Sequence, residues 1–443
     1  MSLISLYKQS LEKVNEPKAI GRVTQVIGLT LEVVCPDLFI GEICHIELTT
    51  QDRYVVAEVV GLKKETAILM PFEKAVGITL GSKVVPQGRS AQAKVGQAFL
   101  GRVVNAFGEP IDDKGPIAPY DLAPIHKPAI NPLSRAPVDT QFSTGLKVVD
   151  ACLPIGQGQR VGLFAGSGVG KSSLLSGICK YNLDQQKVNI IVLVGERGRE
   201  VAEFVHETLG PDGLKHSVVI VATAEEPALI RAHAVYTAMA MAEFFSHQQR
   251  NVFLSIDSMT RFAFALREIG LAVGEPPTVK GYTSSVFSIL PSIVERCGNF
   301  QNRGAITALL SVLVEGDDLN DPVVDSLRAI LDGHVVLDRA LAEKNHYPAV
   351  SVLKSVSRMF NRLTTAEQKS DVKSLRHVLS LYDDNKMILE LGMLESSQSH
   401  IEQIKSDYQV ACGFLQQDLG TYVSSADAKL SLNKLKFGGA SNG

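Results

Sequence analysis

Residues 161–173 read VGLFAGSGVGKSS, and this stretch decides the fold. Val161–Ala165 has the make-up of a buried strand, three glycines then interrupt regular structure, and Leu174, Leu175 and Ile178 follow at helical spacing. Strand, glycine loop and helix in that order is the context a phosphate-binding P-loop requires. Glycines let the loop curl so that successive backbone N–H groups point inward, and the helix N-terminus adds its positive end. Ala165, Gly166, Ser167, Gly168, Val169, Gly170, Lys171, Ser172 and Ser173 are therefore the candidate cradle for the β- and γ-phosphates of a nucleotide. Lys171 supplies a point charge, and the Ser172 hydroxyl is a candidate Mg²⁺ ligand. Ala165 stands where the general pattern has glycine, which is tolerable while its φ stays negative.

Outward from the loop, the runs NIIVLVG (189–195), SVVIVAT (217–223), NVFLSID (251–257) and ITALLSVLV (306–314) alternate with helical stretches such as Ser172–Tyr181 and Pro227–Phe245. Continuous apolar strands interleaved with helices predict an α/β fold whose parallel sheet is buried on both faces. A P-loop nucleotidase needs a carboxylate at a neighbouring strand end to hold Mg²⁺ through water, and another to polarise the attacking water. Asp257, closing VFLSID, fits the first role; capping of a helix that begins near Ser258 is its other reading, and the two can coexist. Glu196, between IIVLVG and Arg197, is the candidate for the second, although a Glu at a strand end is on its own most simply a solvated residue.

From about Ala19 to Gln92 short β-rich runs (GRVTQVIG, LTLEVVC, GEICHIELT, YVVAEVVGL, TAILMPF, SKVVPQG) predict a small closed β-barrel. Before it, Leu3, Leu6, Tyr7 and Leu11 fall on one face of a short amphipathic helix. Beyond about Thr364, Gly and Pro nearly vanish and the sequence turns helical. The expected domains are 1–93 (helix and barrel), 94–362 (α/β engine) and 363–443 (helical). The 443 residues carry 44 Lys+Arg against 47 Asp+Glu, a net charge of −3, which argues against a protein whose main task is coating nucleic acid. The six cysteines are scattered, without a C-x-x-C pair or a close Cys/His cluster, so reduced thiols and no structural zinc are expected. Lys8, Glu12 and Lys13 break the apolar core an export signal needs, and no uncharged stretch reaches the roughly 20 residues of a membrane span.

GLFAGSGVGKSS (162–173), GERGREVAEF (195–204), LREIGLAVGEPPTVKGYTSSVF (266–287), EGDDLNDPVVDSLRAILDGHVVLDRALAE (315–343) and HYPAVSVLKSVSR (346–358) together resemble the type III protein-export ATPases of flagella and injectisomes. That family is similar in turn to the catalytic subunit of rotary ATP synthases. The resemblance extends over the barrel and the hairpin GRVVNAFGEPIDDKGP (101–116). It implies a RecA-like core that hydrolyses ATP with Mg²⁺ as a homohexamer, each nucleotide held between two subunits. By motif, Glu196 corresponds to the water-polarising carboxylate, Arg197 lies close to the γ-phosphate, and Arg358 is the arginine finger reaching the neighbour's site. Tyr347 corresponds to the aromatic that packs on adenine, with a plain core tyrosine as the alternative. The implied partners are export chaperones and cargo proteins, a regulatory or stator protein and the membrane export gate, at the cytoplasmic face of the inner membrane; nucleic acid is not among them. Flagellar assembly is favoured over injectisome secretion. Ser351 departs from the family, where Asp is frequent, and bears on contacts around the adenine pocket. His334 and His346 are read as structural hydrogen bonders. A hexameric nucleic-acid translocase of the transcription-terminator kind, a rotary ATP synthase subunit and a purely structural nucleotide-binding subunit are the alternatives. The charge balance opposes the first, the export-type segments RGREVAEF and GEPPTVKGY the second, and the presence of both Glu196 and Arg358 the third.

Overall fold

The computed structural model describes residues 19–48, 53–128, 130–166, 168–181, 187–314, 316, 321–391, 398–418 and 420–438, with side chains omitted at 387–391 and 398–401. The expected N-terminal helix and Ser167 lie outside the described residues. Contacts divide the chain into two units: Met1–Gln92 with Glu226–Ile230 and Ala265–Ser284, and the remainder.

In the first unit, β1 (Gly21–Ile27), β2 (Thr30–Val34), β3 (Glu42–Glu47), β4 (Tyr54–Leu62), β5 (Ala67–Pro71) and β6 (Lys83–Ser90) close a barrel in the order β1-β2-β5-β4-β3-β6. Alternation is the cause: Cys44 and Ile46 of β3 point inward to meet Val23, Leu31, Val33, Val55, Ala57 and Leu69. Each buried Val, Leu or Ile side chain among them contributes about 1.5–3 kcal/mol. Slipping one strand by a residue would turn its apolar set to water, so the pattern specifies the register.

The second unit is built on an eight-stranded sheet. Its strands are β7 (Arg102–Asn105), β8 (Arg160–Ala165), β9 (Lys187–Glu196), β10 (Ser217–Thr223), β11 (Asn251–Asp257), β12 (Ile306–Leu313), β13 (Gly333–Leu337) and β14 (Val356–Ser357). They lie in the order β14-β13-β8-β12-β11-β9-β10-β7, all parallel except the β13/β14 pair. Every residue of β9 after Lys187 is buried, as continuous apolar runs covered on both faces require. The edge strand β7 is shielded by its own hairpin: Ile111 N donates to Val103 O at 2.9 Å, and Arg102 forks onto Asp112 with two bonds of 2.8 Å.

Helices α1 (Lys171–Tyr181), α2 (Gly198–Glu203), α3 (Ala228–His247) and α4 (Met259–Val273) follow β8, β9, β10 and β11 respectively. The chain ends in α5 (Ala366–Leu391), α6 (Gln398–Leu415) and α7 (Ser425–Asn433). Val372, Leu375, Phe414 and Leu432 of these helices join one apolar cluster with Val148, Val149 and Val352. Among the described residues no helix is long and apolar enough to cross a membrane.

Candidate active site

The strand order places the carboxyl ends of β8, β11 and β9 along one edge of the sheet, where open parallel sheets bind ligands. Ala165 ends β8 paired to Leu313 and is not among the residues of positive φ, so the alanine meets the condition set for it. Gly168 and Gly170 then take φ of +78° and +92°, the left-handed region that favours glycine. A Cβ on Gly168 would meet nothing within 4 Å, so the loop is open on that side. Val169 is buried, and Leu174 N donates to Gly170 O at 3.1 Å as α1 begins. Ser172 is exposed and Ser173 half-buried on the first turn.

Lys171 reaches back across the sheet edge: its Nζ lies 2.5 Å from Asp257 Oδ1 and 3.8 Å from Glu196 Oε1. Asp257 Oδ1 also accepts from Ser311 Oγ at 2.6 Å, and the residue is only 4% exposed. The capping expected of Asp257 falls instead to Ser258, whose Oγ accepts from Arg261 N at 3.4 Å. Asp257 is thereby left facing Lys171.

Glu196 is buried, unlike the solvated strand-end residue the sequence also allowed. A bulge aims it: the β9/β10 register shifts between Val194 and Glu196, where Gly195 has φ +67°. A Cβ on Gly195 would stand 2.9 Å from Arg261 Cδ, so this position requires glycine for space as well as for backbone angle. Arg261 Nη2 in turn lies 3.3 Å from Glu196 Oε2. Burial pushes the Glu196 carboxyl up to about 7, a hydrogen bond with Glu200 pushes the same way, and Lys171 and Arg261 pull against them. Glu200 is held below its ordinary value by that same bond, so the shared proton resides on Glu196 near neutrality. Arg261 and Glu200 were missed from the sequence. The available signal was spacing, since each sits four residues beyond a strand-end carboxylate, one helical turn away.

Two of the expected residues stand apart from this cluster. Arg197 is exposed and approaches Glu200 at 4.0 Å. Arg358 is exposed, and its guanidinium donates to the carbonyls of Arg328 at 3.2 Å and Ala329 at 3.4 Å. Tyr347 borders the loop: a Cβ on Gly170 would touch its ring at 3.5 Å, and its carbonyl accepts from Gln417 N at 2.9 Å. Ser351 holds the turn that follows, its Oγ accepting from Lys354 N at 3.4 Å, a task an aspartate could also perform. His334 Nε2 is bonded to Lys354 O, whereas His346 Nε2 is buried without a hydrogen-bond partner, contrary to its expected role.

The donor set fits a nucleotide with a hard cation. Open left-handed glycines at a helix N-terminus suit phosphate oxygens, and the oxygen donors that Ser172 and Asp257 offer suit Mg²⁺.

Residues 145–357 match the nucleotide-binding domain of the ATP synthase alpha/beta family, and residues 23–88 match the beta-barrel domain of the same family. The flagellum-specific ATP synthase of Bacillus subtilis (strain 168) is 45% identical over 411 residues, covering 92% of this chain and 93% of that protein. The flagellum-specific ATP synthase of Treponema pallidum (strain Nichols) is 44% identical over 434 residues, 98% and 96% of the two chains. The type 3 secretion system ATPase of Xanthomonas euvesicatoria is 41% identical over 372 residues, 84% of each. Among solved structures, the assembled ATPase EscN from the enteropathogenic E. coli type III secretion system superposes with a TM-score of 0.85 at 34% identity, covering 93% of this chain and 98% of that one. EscN in complex with its central stalk EscO gives 0.83 at 35% identity, with the same coverage. Taken with the P-loop and its ring of carboxylates, these similarities place the chain in the family of flagellum-specific and type III secretion ATPases, within the ATP synthase alpha/beta family.

Proposed function

We propose that the chain hydrolyses Mg²⁺-ATP as a homohexamer and that each site is completed by the neighbouring subunit, the cycle energising type III protein export. The observation that carries this reading is a division of the site. Lys171, Glu196, Asp257 and Arg261 converge within ion-pair distance, while Arg358 is exposed and bonded elsewhere.

Residues 165–173 bind the phosphates, and Tyr347 packs on the base. Ser172 Oγ and, through water, Asp257 would hold Mg²⁺, which when bound neutralises phosphate charge. Incoming phosphates compete with Asp257 for the Lys171 ammonium and so release the carboxylate. Once ionised, Glu196 orients the attacking water and takes its proton. Arg261, and Arg197 from the start of α2, supply positive charge beside the γ-phosphate. Arg358 enters the neighbour's site as a finger, a contribution of roughly 10³–10⁵ in turnover.

On this reading residues 1–93 form the oligomer collar, 94–362 the engine and 363–443 the surface for chaperones and cargo. The EscN structure with its central stalk EscO supports a stalk-like or stator partner here, and on the same proposal the assembly works at the cytoplasmic face of the inner membrane export gate. The flagellar relatives at 44–45% identity favour flagellar assembly over injectisome secretion, and neither the nucleic-acid translocase nor the rotary synthase reading is favoured.

The test mixes two inactive chains. Arg358→Ala lacks the finger and Glu196→Gln lacks the base; neither alone turns over, but a hybrid interface pairing the intact Glu196 of one with the intact Arg358 of the other regains hydrolysis, read as phosphate release against mixing ratio. Full turnover by Arg358→Ala alone, or no recovery on mixing, refutes a finger in trans.

A further inference from the structure

A cleft of about 460 Å³ lies between residues 338–354 and helices α5 and α6, and none of the phosphate-loop residues lines it. Its floor is apolar, formed by Val350, Val352, Leu379 and Leu415. One wall is an aromatic pair, Tyr382 and Tyr408, stacked at 3.6 Å and 7°. His346, 5% exposed, also lines the cleft, and burial disfavours its charged form, so its ring adds no charge to the lining.

The rim carries charge of a definite sign. Lys354 is taken up by Asp338 at 2.8 Å. Lys344 and Lys386 also line the cleft, and neither is in an ion pair among the described residues. Asp383 is the remaining acid, so the mouth holds an excess of one positive charge. An apolar floor, an aromatic wall and a few convergent polar groups in this volume are what small-molecule sites present.

We propose that this cleft binds a small amphipathic anion, with its apolar ring system on the floor against Tyr408 and its acidic group at the rim beside Lys344 and Lys386. The site adjoins two functional segments. His346 immediately precedes Tyr347, and Lys354 lies four residues before Arg358. An occupant that stiffens residues 346–354 therefore acts on both ends of the proposed nucleotide interface. That consequence rests on the proposed function; binding itself does not.

The probe is anilinonaphthalene sulfonate, an aromatic anion, titrated into the full chain without nucleotide. Its location is read by maleimide alkylation of Cys412, which lines the cleft half-buried, followed by mass spectrometry. Cys35, equally half-buried but on the barrel, is the internal reference. The expected result is saturable binding that slows Cys412 about tenfold and leaves Cys35 unchanged. Lys386→Glu, a change at the rim, weakens the probe about tenfold and abolishes the protection while the melting temperature stays near wild type. Unchanged Cys412 alkylation at saturating probe, or unchanged affinity in Lys386→Glu, overturns the site. Cys412 protection without any shift in ATP affinity overturns the coupling to Tyr347 and Arg358, whether or not the proposed catalytic roles hold.

Discussion

Glu196→Gln has opposite expected effects on stability and on activity, and the structure sets the size of the first. The side chain is 11% exposed, and its carboxyl stands at about 7 against an ordinary 4.5. The folded state therefore keeps its proton where the unfolded state has lost it. Below about pH 4.5 both states are protonated and nothing is lost; stability then falls as pH rises, and the loss is complete above about 7. At about 1.4 kcal/mol per pH unit, the gap places about 3 kcal/mol against folding at pH 8, and about 1 kcal/mol at pH 5.5. Glutamine has the same shape and carries no charge, so the variant gains those amounts. Lys171 and Arg261 oppose the shift but are outweighed by burial. The assay is urea unfolding of nucleotide-free protein followed by far-ultraviolet circular dichroism at both pH values, beside steady-state phosphate release. Turnover falls about 10²–10⁴-fold, as loss of a general base implies, while the urea midpoint rises more at pH 8 than at pH 5.5. A variant less stable than wild type at pH 8, or a gain independent of pH, refutes the account of Glu196.

Lys171→Ala acts with the opposite sign on stability: it leaves the buried Asp257 with Ser311 as its hydrogen-bond partner, costing about 3–5 kcal/mol, and it weakens nucleotide binding and abolishes hydrolysis. Calorimetry of nucleotide-free protein checks the first, and equal binding loss in Lys171→Ala and Glu196→Gln would contradict the separate roles. The acid limb of kcat/KM lies near pH 7 in the wild type, and Glu200→Gln moves it lower by replacing the charged acceptor of the hydrogen bond that raises Glu196 with a neutral amide; a pH profile that does not move excludes the shared proton. Gly195→Ala forces a side chain into φ +67° and against Arg261 at 2.9 Å, costing about 1–2 kcal/mol from the backbone alone and lowering kcat more than it raises KM.

The barrel and the sheet were legible because each strand buries a periodic or continuous apolar set, and that is a local property. Asp257 could be singled out because a polar residue ending an apolar parallel strand stands at the edge where ligands bind, whereas Glu196, which on its own reads as solvated, was promoted by the resemblance. Arg261 was hidden because its reach depends on where α4 starts. With Ser258 as cap and Met259 as first helical residue, the guanidinium is carried back over Gly195. Nor does a run of IIVLVGE reveal the bulge that aims Glu196, because a glycine inside a strand pattern signals either a bulge or a close approach; here it is both.

Three features of the nucleotide-free chain restrain hydrolysis in separate ways under the proposed mechanism. The ammonium meant for phosphate is held by the carboxylate meant for Mg²⁺, at 2.5 Å and in a buried setting. The carboxyl meant to polarise water carries the proton it shares with Glu200 until the pH passes about 7. The cation meant for the transition state is exposed and bonded to two backbone carbonyls. Phosphate can draw off Lys171 because a triphosphate bears more negative charge than one carboxylate, and the cation then has a free Asp257 to meet. Neither event delivers Arg358, which makes its proposed contribution only at a neighbour's site. A lone protomer can thus bind nucleotide and remain idle, so turnover per subunit should rise steeply with protein concentration while ATP affinity changes little. Concentration-independent turnover would show that the site completes itself within one chain.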